Sequence, residues 1–336
     1  MGVGFTRRVR AGLANFFVGD ALGAPIESLH YRLIDRLYGK YGVRGLVRPP
    51  KNHPARTLPP WSVTDDSETL LLVLRTALKY RRPGPRDFAA ELIRWAREGG
   101  VLSRYYYGRS TREAVKKLLG GAGVKSSGIG GDTNGGPTRA SVAGLLNPGD
   151  PASASREAVT YCIPTHNTWV ALSAASLIAS LTSLIATGLG MDEAVRVCVK
   201  RPLRYGGGYL TPAPSVKDRV RLAIGIVRRV RNPFKAARRL HDVIGPGFHS
   251  AEGIPIAVAL AYRLRDEPRE ALLAALNMGG DTDTVAALTG LLVGVYSGRV
   301  ADEVWVEEVV KRNGIDLEGL VKGVEGLVRE RGYEVP

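Results

Sequence analysis

The chain has 336 residues, 44 % of them hydrophobic and 24 % charged, which is enough apolar content for a full core and far from the depleted composition of disordered chains. Its two cysteines, Cys162 and Cys198, lack CxxC spacing, which excludes a disulfide framework and makes a reducing compartment without structural zinc the expectation. A formal net charge of +15 raises nucleic acid, anionic membranes and phosphorylated ligands as partners.

The N-terminal run MGVGFTRRVRAGLANFFVGDALGAP sets basic residues before an apolar stretch, as a secretory leader does, but Asp20 and Glu27 interrupt it and a cytoplasmic location is expected. Apolar residues at helical spacing predict helices over 66–80, 87–98, 110–119, 156–161, 168–189, 251–264, 268–277, 284–297 and 303–313. Gly and Pro gather between them, at 42–60 and 204–215, and mark loops. Period-two alternation is nearly absent, so the predicted class is all-α. No fixed repeat is visible, which argues against a helical solenoid.

Residues 167–191 carry no charge and are long enough to cross a bilayer. Ser173, Ser176, Ser180, Thr182, Ser183 and Thr187 recur among Ala and Leu there, which suits a helix enclosed by protein, and no membrane partner is expected. Gly290 and Gly294 stand four apart, a spacing that lets another helix backbone approach; two merely tolerated glycines, each costing about 1 kcal/mol, are the alternative. The charge is uneven. Between Arg196 and Arg239 there are 13 Lys and Arg against the single acid Asp218, so 196–239 reads either as a docking surface for a phosphate-bearing partner such as nucleic acid or as a solvated helix face.

Two acidic segments carry the most chemistry: Thr64-Asp65-Asp66-Ser67-Glu68 and Gly279-Gly280-Asp281-Thr282-Asp283-Thr284. Each crowds carboxylates and hydroxyls at the start of an apolar helix. Such groups serve as N-caps, where negative charge is favoured, or as oxygen ligands for a hard divalent cation. If the two segments converge, they supply enough oxygen donors for a two-ion site. A third segment, GDALGAPIE at 19–27, reads either as a solvated turn after the first helix or as the carrier of a general acid or base, Glu27.

The glycine-rich SSGIGGDTNGGPTRA at 126–140 lacks the dinucleotide-binding spacing, yet its backbone N–H groups suit a phosphate, with Arg139 able to pair with one. A plain surface loop is the alternative. His166 stands in Thr165-His166-Asn167 at the start of the uncharged helix, whereas His30, His53, His241 and His249 show no ligand spacing, so a zinc hydrolase has little support. Neither a GxSxG elbow nor a Cys–His arrangement is present.

In this order, GDALGAPIE, TDDSE, YYYGRSTREAVKKLL, TNGGPTRASVAGLLNPGDP, THNTWVALSAASLIA and NMGGDTDTVAALTGLLVGVYSG resemble the ADP-ribosylglycohydrolase family, which includes the dinitrogenase reductase-activating glycohydrolases. The resemblance implies a single all-α domain over residues 1–336, with the basic stretch peripheral and two Mg²⁺ or Mn²⁺ ions at its centre. It implies Thr64, Asp65, Asp66, Asp281, Asp283 and Thr284 as cation ligands and Glu27 as the catalytic glutamate. Tyr107, Gly108, Gly131, Asp132, Asn134, Gly135, Arg139 and His166 fall on segments that border the ADP-ribosyl substrate. Ser67 stands where the pattern has Thr, and Thr138 where it has Met. Asp132 stands where some relatives are aromatic, and an acid there would repel a pyrophosphate. The implied activity is hydrolysis of a glycosidic bond at the ribose anomeric carbon. Cleavage of nucleosides or nucleotides, and a catalytically silent binding protein, are the alternatives.

Overall fold

The computed structural model describes residues 3–40, 42–99, 107–200 and 208–334. Each predicted helix is present: Asp65–Tyr80, Pro85–Gly99, Arg109–Leu119, Pro151–Cys162, Trp169–Ala186, Ser250–Arg263, Pro268–Leu276, Thr282–Ser297 and Glu303–Asn313. Pro151–Cys162 starts well before the predicted 156, because Asp150 accepts the Ser153 N–H as N-cap and Pro151 opens the first turn. Among the described residues there is no β-strand, only isolated bridges such as His30 with Gly279.

Spacing did not reveal Phe5–Gly23, Tyr31–Tyr38, Met191–Lys200, Val216–Arg229, Pro233–Ile244 or Leu317–Glu330. For Phe5–Gly23 the reason is burial on nearly every side: only Thr6, Arg7 and Arg10 escape it, so no apolar stripe contrasts with a polar one. The helix runs through Asp20. The solvated turn considered for that residue is therefore corrected: Asp20 is 0 % exposed and lies in the helix's last turn.

Phe5–Gly23 makes the most extensive helix–helix interface of the fold, against Thr282–Ser297. Glycines on both sides bring the backbones together. A Cβ on Gly290 would sit 2.4 Å from the Asn15 carbonyl oxygen, and one on Gly294 would sit 2.3 Å from that of Ala11. From the other helix, a Cβ on Gly19 would meet the Ala286 backbone at 2.5 Å and one on Gly23 the Asp283 Cα at 2.3 Å. The four-residue spacing at 290 and 294 is thus a close-approach surface. Buried Arg8 fixes the far end by donating to the Val295 carbonyl at 2.9 Å and the Ile185 carbonyl at 3.5 Å, a cation placed at two helix C-termini.

Trp169–Ala186 is the second central helix. It is the one described helix long and apolar enough to cross a membrane, and 89 % of it is buried inside the protein. Its hydroxyls bond to neighbouring carbonyls: Ser180 to Pro151 at 2.9 Å, Ser183 to Asn147, and Thr182 within the helix to Ile178 at 2.9 Å. One hydrophobic core joins residues from Phe5 to Val328, so the chain folds as a single domain.

The basic stretch forms outer helices, with residues 201–207 outside the described set. Several of its arginines tie those helices together. Arg228 reaches Asp192 at 3.1 Å and the Tyr262 hydroxyl at 2.9 Å, Arg219 donates to the Ile244 and Ala251 carbonyls, and Arg238 pairs with Asp35 at 2.6 Å.

Gly294→Ala places a methyl against the Ala11 carbonyl, where only a backbone shift can relieve it. We expect a loss of about 1–3 kcal/mol, the usual cost of overpacking a core, read as a lower urea midpoint.

Candidate functional site

The acidic segments meet at the adjoining ends of the two glycine-packed helices. Buried Asp20, at the end of Phe5–Gly23, accepts the Thr64 N–H at 3.0 Å, the Thr64 hydroxyl at 2.7 Å, the Ser67 N–H at 3.1 Å and the Ser67 hydroxyl. It thereby anchors the start of Asp65–Tyr80, whose own N-cap is Thr64. Just beyond Gly23, the chain around Glu27 pairs with the other motif: Ser28 donates to the Gly280 carbonyl at 2.8 Å and Gly280 returns a bond to Leu29 at 2.9 Å. The Thr282 hydroxyl donates to the Gly23 carbonyl at 2.9 Å.

One bond joins the early and late motifs directly: the Thr284 hydroxyl donates to Asp66 Oδ2 at 2.6 Å. Glu27, Asp281 and Asp283 bring carboxylate oxygens within 4.8 Å of one another, close enough to share a cation. Asn134 completes this side by donating to Asp281 Oδ2 at 2.6 Å. Across the site, the Gly108 N–H donates to Asp65 Oδ2 at 3.0 Å and the Tyr107 hydroxyl to Glu68 at 2.6 Å.

These groups wall a cavity of about 420 Å³. Glu27, Asp65, Asp66, Asp281, Asp283 and Thr284 line it, as do Tyr107, Gly108, Asn134 and Gly135. The other residues anticipated from the sequence stand one layer back. Thr64 is committed to Asp20. Gly131 packs under Thr165, where a Cβ would lie 2.1 Å from the carbonyl oxygen. Asp132 turns its carboxylate toward His249, 3.9 Å away, and gives its carbonyl to Ser250.

Arg139 and His166 are 1 % and 0 % exposed. Arg139 donates to the Tyr161 carbonyl at 3.3 Å, to the Gly135 carbonyl at 3.4 Å and to the Thr165 hydroxyl. The sequence offered Arg139 to a phosphate; in the structure its donors to Tyr161, Gly135 and Thr165 face inward and brace the loop from below. His166 supports the same loop through Thr133 at 2.8 Å, and burial, with Arg139 beside it, holds its pKa well below the ordinary value.

The sequence did not point to Asp20 as a positioning group, nor to Thr133, Arg109 and Phe248 in the cavity wall. The GDALG motif carried a signal for Asp20; nothing in the surrounding sequence marked Phe248.

A sequence profile of the family described as ADP-ribosylglycohydrolase matches residues 1–334. The chain belongs to the ADP-ribosylglycohydrolase family. It is 27 % identical to the Escherichia coli protein YegU over 87 % of this chain and 88 % of that one. It is 25 % identical to an ADP-ribosylarginine hydrolase, Tri1, of Pseudomonas putida, over 90 % of this chain and 74 % of the relative. Among solved structures, an ADP-ribosylglycohydrolase-related protein complex shares the fold with a TM-score of 0.64 at 24 % identity, covering 97 % of this chain and 98 % of that one.

The electrostatics of the site fit a divalent cation. Burial pushes Asp20, Asp281 and Asp283 above the usual carboxylate range, and the neighbouring Glu27, Asp281 and Asp66 push Asp283 further. Asp66 rises by burial and by repulsion from Asp65, Asp20 and Asp281; Asp65 is raised to about 7, chiefly by burial. The donor set these carboxylates and hydroxyls present to the cavity is all oxygen, the preference of hard cations.

The sign of the resulting pH dependence follows. Raised carboxyl pKa values mean that the folded, cation-free chain holds protons more tightly than the unfolded chain between the usual carboxylate range and about pH 7, so these groups cost stability as pH rises through that window. A cation relieves this cost and competes with the protons. Mn²⁺ at about 100 times its dissociation constant should stabilise the protein by about 2.7 kcal/mol at pH 8. At pH 5 the same concentration should give a much smaller gain, as thermal denaturation would show.

Proposed function

We propose that this protein is a cation-dependent hydrolase of the glycosidic bond between the ribose anomeric carbon of an ADP-ribosyl group and its N- or O-linked aglycone. The observation that carries the reading is the Thr284–Asp66 bond beside the Glu27, Asp281 and Asp283 cluster, which unites both acidic motifs at one cavity. Family membership makes hydrolysis of an ADP-ribosyl linkage the general expectation. The 25 % identity to an ADP-ribosylarginine hydrolase supports a protein or amino-acid conjugate as substrate.

Asp65, Asp66, Asp281, Asp283 and Thr284 would hold two divalent cations, Mg²⁺ or Mn²⁺. When bound, such ions supply Lewis-acid and template chemistry toward a ribose diol. Thr64 helps from behind through Asp20, which aims the first turn of Asp65–Tyr80 at the cavity. Asn134 orients Asp281 by donating to one of its oxygens.

Glu27 is the one carboxylate of the cluster outside the two aspartate motifs, on a backbone tied to Gly280 and, through its carbonyl, to His53 Nε2 at 2.8 Å. We assign it the proton. The bond from C1′ to the aglycone breaks, the oxygen of water joins C1′, and one proton of that water goes to the departing nitrogen or oxygen, with Glu27 as the carrier. Positive charge develops on the ribose during departure, and the carboxylate-rich wall favours it.

The nucleoside alternative drew on repulsion of a pyrophosphate by Asp132. That carboxylate faces His249 and is not part of the cavity wall, which favours the ADP-ribosyl reading.

Glu27→Gln should lower kcat by about 100-fold or more while Mn²⁺ still binds in calorimetry through Asp65, Asp66, Asp281, Asp283 and Thr284, since it removes a proton carrier and leaves those oxygens in place. Asp66→Asn with Asp283→Asn should abolish both cation binding and release of ADP-ribose from ADP-ribosylarginine. Undiminished turnover in the double variant would overturn the assignment.

A further inference from the structure

We infer that Arg109 is the residue by which the cavity reads the phosphates of its ligand, and so separates a nucleotide-bearing ribose from a plain one. This rests on the proposed ADP-ribosyl reading and goes beyond it by naming the specificity determinant. Five carboxylates line the cavity, Glu27, Asp65, Asp66, Asp281 and Asp283, and Arg109 is the sole cationic side chain among its described lining residues. A diphosphate entering such a space needs a counter-charge on the wall away from the carboxylate floor. Arg139, which the sequence offered for this, is buried with its donors turned inward.

Position and availability both favour Arg109. It opens the helix Arg109–Leu119 directly after Gly108, which is bonded to Asp65, so its backbone is fixed to the carboxylate cluster itself. Its guanidinium is 88 % exposed and, among the described residues, pairs with Glu113, one helical turn away, at 2.7 Å. Exposed pairs of this kind contribute little. Exchanging the Glu113 carboxylate for a phosphate therefore costs the fold almost nothing, and guanidinium matches phosphate geometry with paired N–H donors.

The test compares ligands that differ in phosphate. With Mn²⁺-loaded full-length protein, calorimetry should show that Arg109→Ala weakens ADP-ribose binding by about tenfold or more, that Arg109→Lys weakens it less, and that neither changes the affinity for adenosine. In steady-state hydrolysis of ADP-ribosylarginine, the loss should fall on KM more than on kcat. Raising salt should narrow the gap between wild type and Arg109→Ala. If wild type binds ADP-ribose and Arg109→Ala binds it equally well, the inference is overturned while the proposed function stands. If wild type binds ADP-ribose no better than adenosine and leaves ADP-ribosylarginine intact, both fall.

Discussion

The site depends on holding mutually repelling carboxylates together in a place that water hardly reaches. Asp20, Asp66, Asp281 and Asp283 are each at most 5 % exposed, and Glu27 and Asp65 border them. Burial alone disfavours their charge, and each neighbour adds to the cost. Three features offset it: hydroxyl and amide donors from Thr64, Ser67, Thr284 and Asn134, the positive ends of two long helices, and the opportunity to coordinate a cation. The first two suffice to place the oxygens; their charge is neutralised by protons in the cation-free chain, and a divalent cation would replace those protons. The acids thus do more than cap helices, although Thr64 also caps.

Such a cluster must be held by something stiffer than its own hydrogen bonds. The stiffness comes from backbone contact between Phe5–Gly23 and Thr282–Ser297, where Gly19, Gly23, Gly290 and Gly294 leave no room for side chains. The contact runs up to the cavity, since Gly23 packs on the Cα of Asp283 itself. Arg8 pins the opposite end by binding the carbonyls that close two helices. A shift of either helix along the other would separate Asp20 and Glu27 from Asp281 and Asp283. Packing at one end of the molecule therefore sets ligand distances at the other.

This division explains what could be read from the sequence. Nine of the described helices announced themselves through apolar residues at helical spacing, the buried Trp169–Ala186 and Thr282–Ser297 among them, and the two acidic motifs through residue types that few other settings tolerate. The central helix Phe5–Gly23 did not, because a helix buried all round has no polar face to give it a period, and its basic start imitated a leader. Asp20 was legible as an acid in a motif but not as a buried anchor, since its role exists only once Thr64 and Ser67 are folded against it. Glu27 was legible as a candidate, yet its meeting with Asp281 depends on the backbone pairing of residues 28–30 with 279–280, which no local pattern encodes.

The glycine-rich segment shows most clearly why a motif does not say which of its residues meet the ligand. Asn134 and Gly135 face the cavity, while Arg139, one helical turn further on, points into the core and binds the carbonyls of Gly135 and Tyr161. The turn Gly135–Ala140 is helical, and Arg139 donates back along it to the Gly135 carbonyl, which holds the guanidinium on the buried side of the turn. His166 supports the neighbouring Thr133 in the same manner. The segment is therefore two-layered, an outer row that can touch a ligand and an inner row that keeps the outer one in place. An arginine in the inner row stiffens the wall and spends its donors on the loop itself. Among the described lining residues of the cavity, the cationic side chain is that of Arg109 on the rim.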